Sequence, residues 1–139
     1  MEPIIYTYTV PGDDFTRAGE ASADLKNKLK VMGIAGGALR NVSISLYEGE
    51  INLAIHAGGG SITAKVYPDK VELSLDDEGP GIADISLAMK EGYSSADDTV
   101  RSLGFGAGMG LPNMKKYADT FDIQSKVGQG THIKMTINL

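Results

Sequence analysis

The hydrophobic and polar positions near the N-terminus follow first a strand pattern and then a helix pattern. Residues 4–10 are mostly β-branched and aromatic, which favours a strand, and Pro11-Gly12-Asp13 ends it. Asp14 can cap a helix over roughly 15–32. Hydrophobic side chains recur in that helix at helical spacing, at Ala18, Ala21, Leu25, Leu29 and Met32. The run from Gly33 to Gly37 then breaks the pattern.

Residues 39–57 fit two kinds of element. Val42, Ile44 and Leu46 alternate as they would in a strand. Leu39, Val42, Leu46 and Leu53 also suit one face of a helix. Because both patterns are present, periodicity alone leaves the strand and the helix open.

A β-hairpin is predicted next, because two segments with alternating side chains flank a short turn. Ser61–Tyr67 is the first strand, Pro68-Asp69 is the turn, and Lys70–Leu75 is the second strand. The preceding glycines, Gly58–Gly60, are predicted to form a turn of their own.

The rest of the pattern predicts two more helices and two more strands. The helices are a short one over 82–91 and one over about 108–118, and the strands lie near 120–126 and 131–138. Helices that lie before and between antiparallel hairpins indicate an α+β sandwich, with one sheet face covered and the other exposed. No repeat or linker divides the chain, so we expect a single domain over 1–139.

The composition narrows the classes of function. The chain has 139 residues, of which 42% are hydrophobic, enough for one core. It has no cysteine, which excludes disulfides, thiol chemistry and cysteine-rich zinc sites. The net charge of −5 argues against a nucleic-acid partner, which requires a basic surface. No apolar run approaches the ~20 residues that span a membrane, and no secretory signal is visible, so we expect a cytoplasmic protein.

Two glycine clusters flank a polar segment between residues 76 and 111. The first reads Asp-Asp-Glu-Gly-Pro-Gly-Ile, and the second carries glycine at Gly104, Gly106, Gly108 and Gly110. Glycines allow the backbone to approach a ligand closely, and a helix that starts after them would direct its free N–H groups at an anion. We therefore expect a phosphate site closed by a lid over 92–105, with residues 94–104 ordered only when nucleotide is bound.

Four motifs resemble those of the GHKL ATP-binding superfamily, which includes gyrase, Hsp90, histidine kinases and MutL. They are Glu48-Gly-Glu-Ile-Asn52 with the following His56-Ala57-Gly58-Gly59, Asp77-Glu78-Gly79-Pro80-Gly81, Gly106–Leu111 and Gly128-Gln129-Gly130-Thr131. Their order and spacing fit one domain of this length. The resemblance implies a Bergerat-type two-layer α/β sandwich, with a mixed, mostly antiparallel sheet, helices on one face and a mobile ATP lid. It also implies that residues 39–57 form a helix.

The resemblance assigns roles to three side chains. On a helix, Glu48, Asn52 and His56 lie at i, i+4 and i+8 and project from nearly one face. By resemblance, Asn52 supplies an oxygen to the Mg²⁺ of Mg-ATP, and Glu48 accepts the proton of a serine hydroxyl. By resemblance, the Asp77 carboxylate is expected to accept a hydrogen bond from the N6 amino group of adenine. His56 is expected to end or pack the helix rather than to act in catalysis.

Further nucleotide-binding positions are implied by the motifs. They are Gly79, Gly81, Ile82, Arg101, Gly104, Gly106, Gly108, Met109, Gly110, Leu111 and Thr131. Three of them keep alternatives. Arg101 could neutralise charge on the transferred phosphoryl group or pair with Asp97 or Asp98. Met109 could line the adenine pocket or fill the core, and the Thr131 hydroxyl could bind phosphate or pack within a strand.

Two residues of the first motif depart from the family pattern. Gly49 would cost a helix about 1 kcal/mol relative to alanine. Glu50 stands where an apolar or small residue is more usual. Asp76, which precedes the second motif, has no role in this assignment.

The resemblance is greatest to the small stand-alone serine/threonine kinases of anti-sigma and stressosome switches. The chain ends eight residues after Thr131, so we expect no transducer domain of the gyrase kind. Neither histidine lies in a helical hairpin of the kind that a sensor histidine kinase needs. The stretches Glu91–Ser95 and Phe121–Lys126 most resemble the stressosome subgroup.

The implied function is phosphorylation, with Mg-ATP, of a serine or threonine on a small STAS-domain antagonist protein. A sigma factor or a downstream phosphatase or regulator would be a further partner. Two alternatives stay open. One is an anti-sigma factor that sequesters a sigma subunit with ATP as a conformational ligand, and the other is a non-catalytic nucleotide-binding module, which the departures at Gly49 and Glu50 would favour.

Overall fold

The computed structural model describes residues 2–12, 17–56, 58–79, 89 and 110–139. Five strands and three helices lie in this part of the chain. The strands are β1 (Ile4–Pro11), β2 (Gly59–Val66), β3 (Lys70–Asp76), β4 (Thr120–Lys126) and β5 (Gly130–Asn138), and the helices are α1 (Glu20–Val31), α2 (Gly36–His56) and α3 (Gly110–Tyr117). None of these helices is long and apolar enough to cross a membrane.

The five strands form one sheet in the order β1-β2-β3-β5-β4. Every adjoining pair is antiparallel. The predicted hairpin is present as β2 and β3, and β4 and β5 form a second one. At the end of β3, Asp76 lies opposite Ser61 on one side and His132 on the other. The central strands therefore bring the chain around Asp76 next to the start of β5.

One face of the sheet is covered by helices, as expected. Side chains alternate between buried and partly exposed along β2, β3 and β5, and Leu73 and Met135 are fully buried opposite each other. Helix α2 packs across this face, with α1 and α3 beside it. Removing a leucine-sized side chain from water contributes about 1.5–3 kcal/mol, so this layer is the main source of stability. The molecule is a two-layer α/β sandwich.

The segment with two competing patterns is a helix, as the resemblance implied. Val42, Leu46 and Leu53, which suit one helix face, are buried at 1%, 0% and 2% exposure. Ile44, which only the strand pattern would bury, is half-buried. The sheet beneath α2 therefore decided between the two patterns, because it offers an apolar surface to a helical stripe.

The first helix begins later than predicted. It starts at Glu20 rather than near residue 15, and its N-cap is Gly19, which has φ 103° and no capping side chain. Asp14, the predicted cap, lies outside the described residues. The backbone N–H groups of Ala21 and Ser22 instead donate to the Glu50 carboxylate of α2. The helix therefore begins where a distant side chain satisfies its free donors.

The glycines before β2 were only partly predicted. The strand already begins at Gly59, so Gly59 and Gly60 belong to β2 and pair with Pro11 and Val10 of β1. Gly59 has φ 99°, and a Cβ atom there would lie 2.6 Å from the carbonyl oxygen of Val10. Glycine therefore lets β2 start closer to β1 than any other residue would.

Polar side chains join α1 to the edge strand β1. The Tyr8 hydroxyl donates to Asp24 Oδ2 at 2.7 Å, and Lys28 Nζ donates to the same oxygen at 2.6 Å. Burial, followed by the hydrogen bond to Asp24, raises the pKa of the Tyr8 phenol above its ordinary value. The hydrogen bond from Lys28, followed by that from Tyr8, lowers the pKa of the Asp24 carboxyl. The Lys28 ammonium also lies 4.8 Å from the centre of the Tyr6 ring.

Candidate functional site

The Asp77 carboxylate lies at the end of β3 and joins two of the predicted motifs. It is buried at 6% exposure. Its Oδ1 atom accepts hydrogen bonds from the backbone N–H of Gly79 at 2.8 Å and of Thr131 at 3.2 Å. The Asp77 N–H in turn donates to the Thr131 carbonyl oxygen at 3.0 Å. The structure thus brings Thr131 of one predicted motif together with Asp77 and Gly79 of another.

Gly130 makes this close approach feasible. It has φ 90°, and a Cβ atom there would collide with the Asp77 carbonyl oxygen and lie 2.9 Å from the Cα of Glu78. Any larger residue would push β5 away from Asp77. The second glycine of the Gly-x-Gly-Thr motif is therefore required by backbone packing against the Asp-x-Gly-x-Gly motif.

The Thr131 hydroxyl faces strand β4. It lies 2.7 Å from the hydroxyl of Ser125, which also donates to the Gly130 carbonyl oxygen at 3.2 Å. Thr131 is 4% exposed. Sequence reasoning left two roles for this hydroxyl and did not single out Ser125. Ser125 lies opposite Thr131 because of the register between β4 and β5, which the local sequence motifs do not indicate.

Three consecutive residues of α2 contact three different elements. Glu48 Oε1 accepts a hydrogen bond from Asn113 Nδ2 of α3 at 3.1 Å. Gly49 faces the sheet, where a Cβ atom would collide with the Leu75 side chain and lie 3.4 Å from the sulfur of Met114. Glu50 turns to α1. The departure at Gly49 is thereby explained, because α2 is continuous through this glycine and packs more closely than alanine would allow.

Glu50 is a buried structural carboxylate. It is 2% exposed, and it accepts from Ala21 N at 3.1 Å, from Ser22 N at 3.0 Å and from Ser22 Oγ at 2.5 Å. A negative charge at the N-terminus of a helix is stabilised by the free N–H groups there. The sequence pattern showed Glu50 only as unusual for its position, since the docking of α1 could not be read locally.

Asn52 lies one helical turn after Glu48, and the next residue approaches the Asp77 region. A Cβ atom on Gly60 of β2 would lie 2.9 Å from Leu53 Cδ2 and 3.2 Å from Asp77 Cβ. Leu53 and Asp77 thus border the same glycine. Asn52 is half-buried in this part of the molecule. The C-terminal end of α2 and the Asp77 cluster are therefore on the same side of the sheet.

Helix α3 supplies the remaining described positions. It begins at Gly110, and Leu111 is buried at 7% exposure as part of the core. Met114 is fully buried and reaches Gly49. Asn113, which sequence reasoning missed, is the residue that links α3 to Glu48.

Several predicted positions lie outside the described residues. They include the helix over 82–91, the lid over 92–105 with the expectation about its order, and the side chain of His56. The site residues in this group are Gly81, Ile82, Arg101, Gly104, Gly106, Gly108 and Met109. Their assignments stay predictions.

Asp76 and His132 form a pair on the uncovered face of the sheet. Their Oδ1 and Nδ1 atoms lie 2.7 Å apart, and the side chains are 47% and 56% exposed. Because side chains alternate along a strand, Asp76 points away from the face to which Asp77 contributes. Among the described residues, no group of three or more histidine, cysteine or acidic side chains could hold a metal ion by itself.

Comparison with known proteins defines the class. Residues 37–139 match the family described as Histidine kinase-, DNA gyrase B-, and HSP90-like ATPase. The match spans most of the chain, and the protein belongs to this ATPase family. The solved structure of the mycobacterial sensor histidine kinase MprB has the same fold, with a TM-score of 0.54 at 16% identity over 97% of each chain.

Relatives of this chain include a serine/threonine-protein kinase and anti-sigma F factors. The chain is 29% identical to the serine/threonine-protein kinase RsbT of Bacillus subtilis (strain 168), over 78% of this chain and 79% of that protein. It is 30% identical to the anti-sigma F factor of Caldanaerobacter subterraneus subsp. tengcongensis, over 71% of this chain and 62% of that protein. The anti-sigma F factor of Clostridium acetobutylicum is 34% identical over 68% of this chain and 66% of that protein. The resemblance to a serine/threonine kinase and to anti-sigma factors of this family is thereby confirmed.

Proposed function

We propose that this single domain binds Mg-ATP between α2, α3 and the Asp77 cluster, and transfers the γ-phosphoryl group to a serine or threonine of a partner protein. The observation that carries the proposal is the convergence of separate motifs. Asp77 bonds to Gly79 and Thr131, and Leu53 of the Glu48–Asn52 helix borders the same position. The match to the ATPase family supports ATP as the ligand.

Asp77 is the proposed adenine-binding residue. Two backbone N–H groups hold its Oδ1 atom, which fixes the plane of the carboxylate. No hydrogen bond within the described residues engages Oδ2. That oxygen can accept a hydrogen from the N6 amino group, and the Gly79 backbone leaves room for the ring. We place Thr131 beside Asp77 at this base-binding end.

Asn52 and Glu48 are the proposed reacting end. Asn52 offers the side-chain oxygen that Mg²⁺ accepts together with phosphate oxygens and water. When bound, the metal would neutralise charge on the phosphates. Glu48 would take the proton of the attacking serine or threonine hydroxyl. The oxygen of that hydroxyl would bond to the γ-phosphorus, and the bond between this phosphorus and the β,γ-bridging oxygen would break to release ADP. Asn113 donates to Glu48 Oε1 and would leave Oε2 for that proton.

The remaining nucleotide contacts are proposed from the motifs. They comprise Gly81, Ile82, Arg101, Gly104, Gly106, Gly108, Met109, Gly110 and Leu111. The N-terminus of α3 at Gly110 follows the glycine cluster, which suits a phosphate-binding role. Arg101 is the proposed cation for the transferred phosphoryl group.

The proposed substrate is a small STAS-domain antagonist protein, in a cytoplasmic partner-switching pathway. RsbT is a serine/threonine-protein kinase by name, and this chain aligns with most of its length. A second function is sequestration of a sigma subunit with ATP as conformational ligand. The anti-sigma F factors among the relatives favour it.

Radiolabelled Mg-ATP, the purified chain and candidate STAS proteins test the proposal. We expect phosphoryl transfer to a serine or threonine, loss of transfer by about 10²–10⁴-fold in Glu48→Gln with ATP binding retained, and normal transfer in the control Glu20→Gln, whose side chain is 62% exposed. Asp77→Asn should lose ATP binding. Nucleotide-dependent capture of a sigma factor without transfer would favour the second function, and ATP binding with neither outcome would show a non-catalytic module.

A further inference from the structure

The Glu50 carboxylate connects helix α2 to the N-terminus of helix α1. Its carboxylate is 2% exposed and takes three hydrogen bonds from the first turn of α1. Helix α1 has no cap of its own, since Gly19 at its N-cap has no side chain to offer. The two helices are therefore locked by directional bonds, in addition to apolar packing that would tolerate sliding.

The charge of Glu50 has no cationic partner among the described ion pairs. The N–H groups and the positive end of the α1 dipole are what compensate it. Removing these donors would leave a buried carboxylate without partners, which is costly. The contact between Glu50 and α1 is thus strongly favoured in one geometry only.

Glu48 and Glu50 project from opposite sides of α2. Residues two apart on a helix are separated by about 200° around its axis. Asn113 of α3 holds Glu48 on one side, and Ala21 and Ser22 of α1 hold Glu50 on the other. Gly49 between them rests on Leu75 of the sheet. Helix α2 is fixed against rotation at this one turn by three elements.

From this arrangement we propose that Glu50 is a positioning residue for phosphoryl transfer. By anchoring α1, it sets the rotation of α2 and so the direction in which Glu48 and Asn52 point. The inference rests on the proposed function of those two residues. A rotation of α2 by about 20° would move a side-chain tip by about 2 Å at the outer radius of the helix. A displacement of even ~1 Å can lower a rate by about 10²-fold.

The variant Glu50→Gln tests the proposal with little change in shape. It replaces one acceptor oxygen with an NH₂ group that faces a backbone N–H of α1. The matched control is Glu20→Gln, which also removes a carboxylate at the start of α1 but from a side chain that is 62% exposed. For each protein, urea unfolding at the assay temperature shows that it is folded before kcat and KM are measured.

We expect folded Glu50→Gln to lose about tenfold or more in kcat and to keep its affinity for ATP in the absence of Mg²⁺, because Asp77 directly follows β3 and does not lie on α2. Glu20→Gln should match the wild type. An unchanged kcat in folded Glu50→Gln would overturn the proposal and leave Glu50 a purely structural residue. If Glu50→Gln does not fold, Ser22→Ala, which removes one of the three donors, should lower kcat to a smaller extent, and an unchanged kcat there overturns the proposal equally.

A second readout separates this proposal from the proposed kinase function. If the wild type transfers no phosphoryl group, the kinase function fails, and ATP affinity with and without Mg²⁺ becomes the test. Because Asn52 lies on α2, the gain in ATP affinity from Mg²⁺ should shrink in Glu50→Gln and stay intact in Glu20→Gln. An unchanged gain in Glu50→Gln would refute the positioning role.

Discussion

Replacing Gly130 with alanine should separate β5 from the segment that follows β3, and Gly128→Ala provides a matched control. Both glycines have positive φ, 90° and 80°. A non-glycine residue at such a φ costs about 1–2 kcal/mol. A Cβ atom at Gly128 would meet nothing within 4 Å, whereas at Gly130 it would collide with backbone atoms of Asp77. The two variants therefore share the conformational cost and differ only in the collision.

The additional loss at Gly130 can be estimated from the bonds at risk. Moving β5 away would weaken the hydrogen bonds of Thr131 N to Asp77 Oδ1 and of Asp77 N to Thr131 O, which are 3.2 and 3.0 Å long. Each contributes about 0.5–1.5 kcal/mol net. We therefore expect Gly130→Ala to lower the free energy of unfolding by about 1–3 kcal/mol more than Gly128→Ala.

Urea unfolding of the wild type and both variants measures this difference, and amide hydrogen exchange at Thr131 locates it. Exchange at Thr131 should accelerate in Gly130→Ala and stay slow in Gly128→Ala. Equal destabilisation by the two substitutions, within about 0.5 kcal/mol, would refute the claim that close packing against Asp77 requires Gly130.

Two further predictions concern α2 and α1. Gly49→Ala should destabilise the protein by about 1–2 kcal/mol despite the higher helix propensity of alanine, because the added Cβ atom collides with the buried Leu75 side chain. Urea unfolding measures this loss, and the control Gly37→Ala, which has open space around it, should be neutral or stabilising. A stabilising effect of Gly49→Ala would contradict the close packing of α2 on the sheet. Asp24→Asn should lower stability at pH 7 but not near pH 2. The hydrogen bonds from Lys28 and Tyr8 lower the pKa of Asp24 below its ordinary value of 3.8, so their stabilisation is present above that pH and is lost as the pH falls through the folded-state pKa. An Asp24→Asn effect that is the same at both pH values in thermal unfolding would contradict this assignment.

The strands were predictable because their signal is local. Alternation in Lys70–Leu75 and in residues 131–138 needs only the two-residue period of a strand and an apolar layer on one side. The motifs around Asp77 and Thr131 were visible for a similar reason, since their glycines mark positions where the backbone must come close. The class of protein followed from the order of these motifs along the chain.

The tertiary structure decided what depends on distant partners. The hydrophobic pattern of residues 39–57 fits both a strand and a helix, and the segment is a helix because its apolar stripe packs on the sheet. Helix α1 begins at Glu20 because the carboxylate of Glu50, far along the chain, accepts hydrogen bonds from its first N–H groups. Gly49 and Glu50 depart from the family motif, and the structure shows that they are the residues through which α2 contacts β3 and α1. Periodicity and motifs report on neighbours in sequence, whereas capping between helices and the fit of a glycine against a strand depend on surfaces that exist only after the layers have packed.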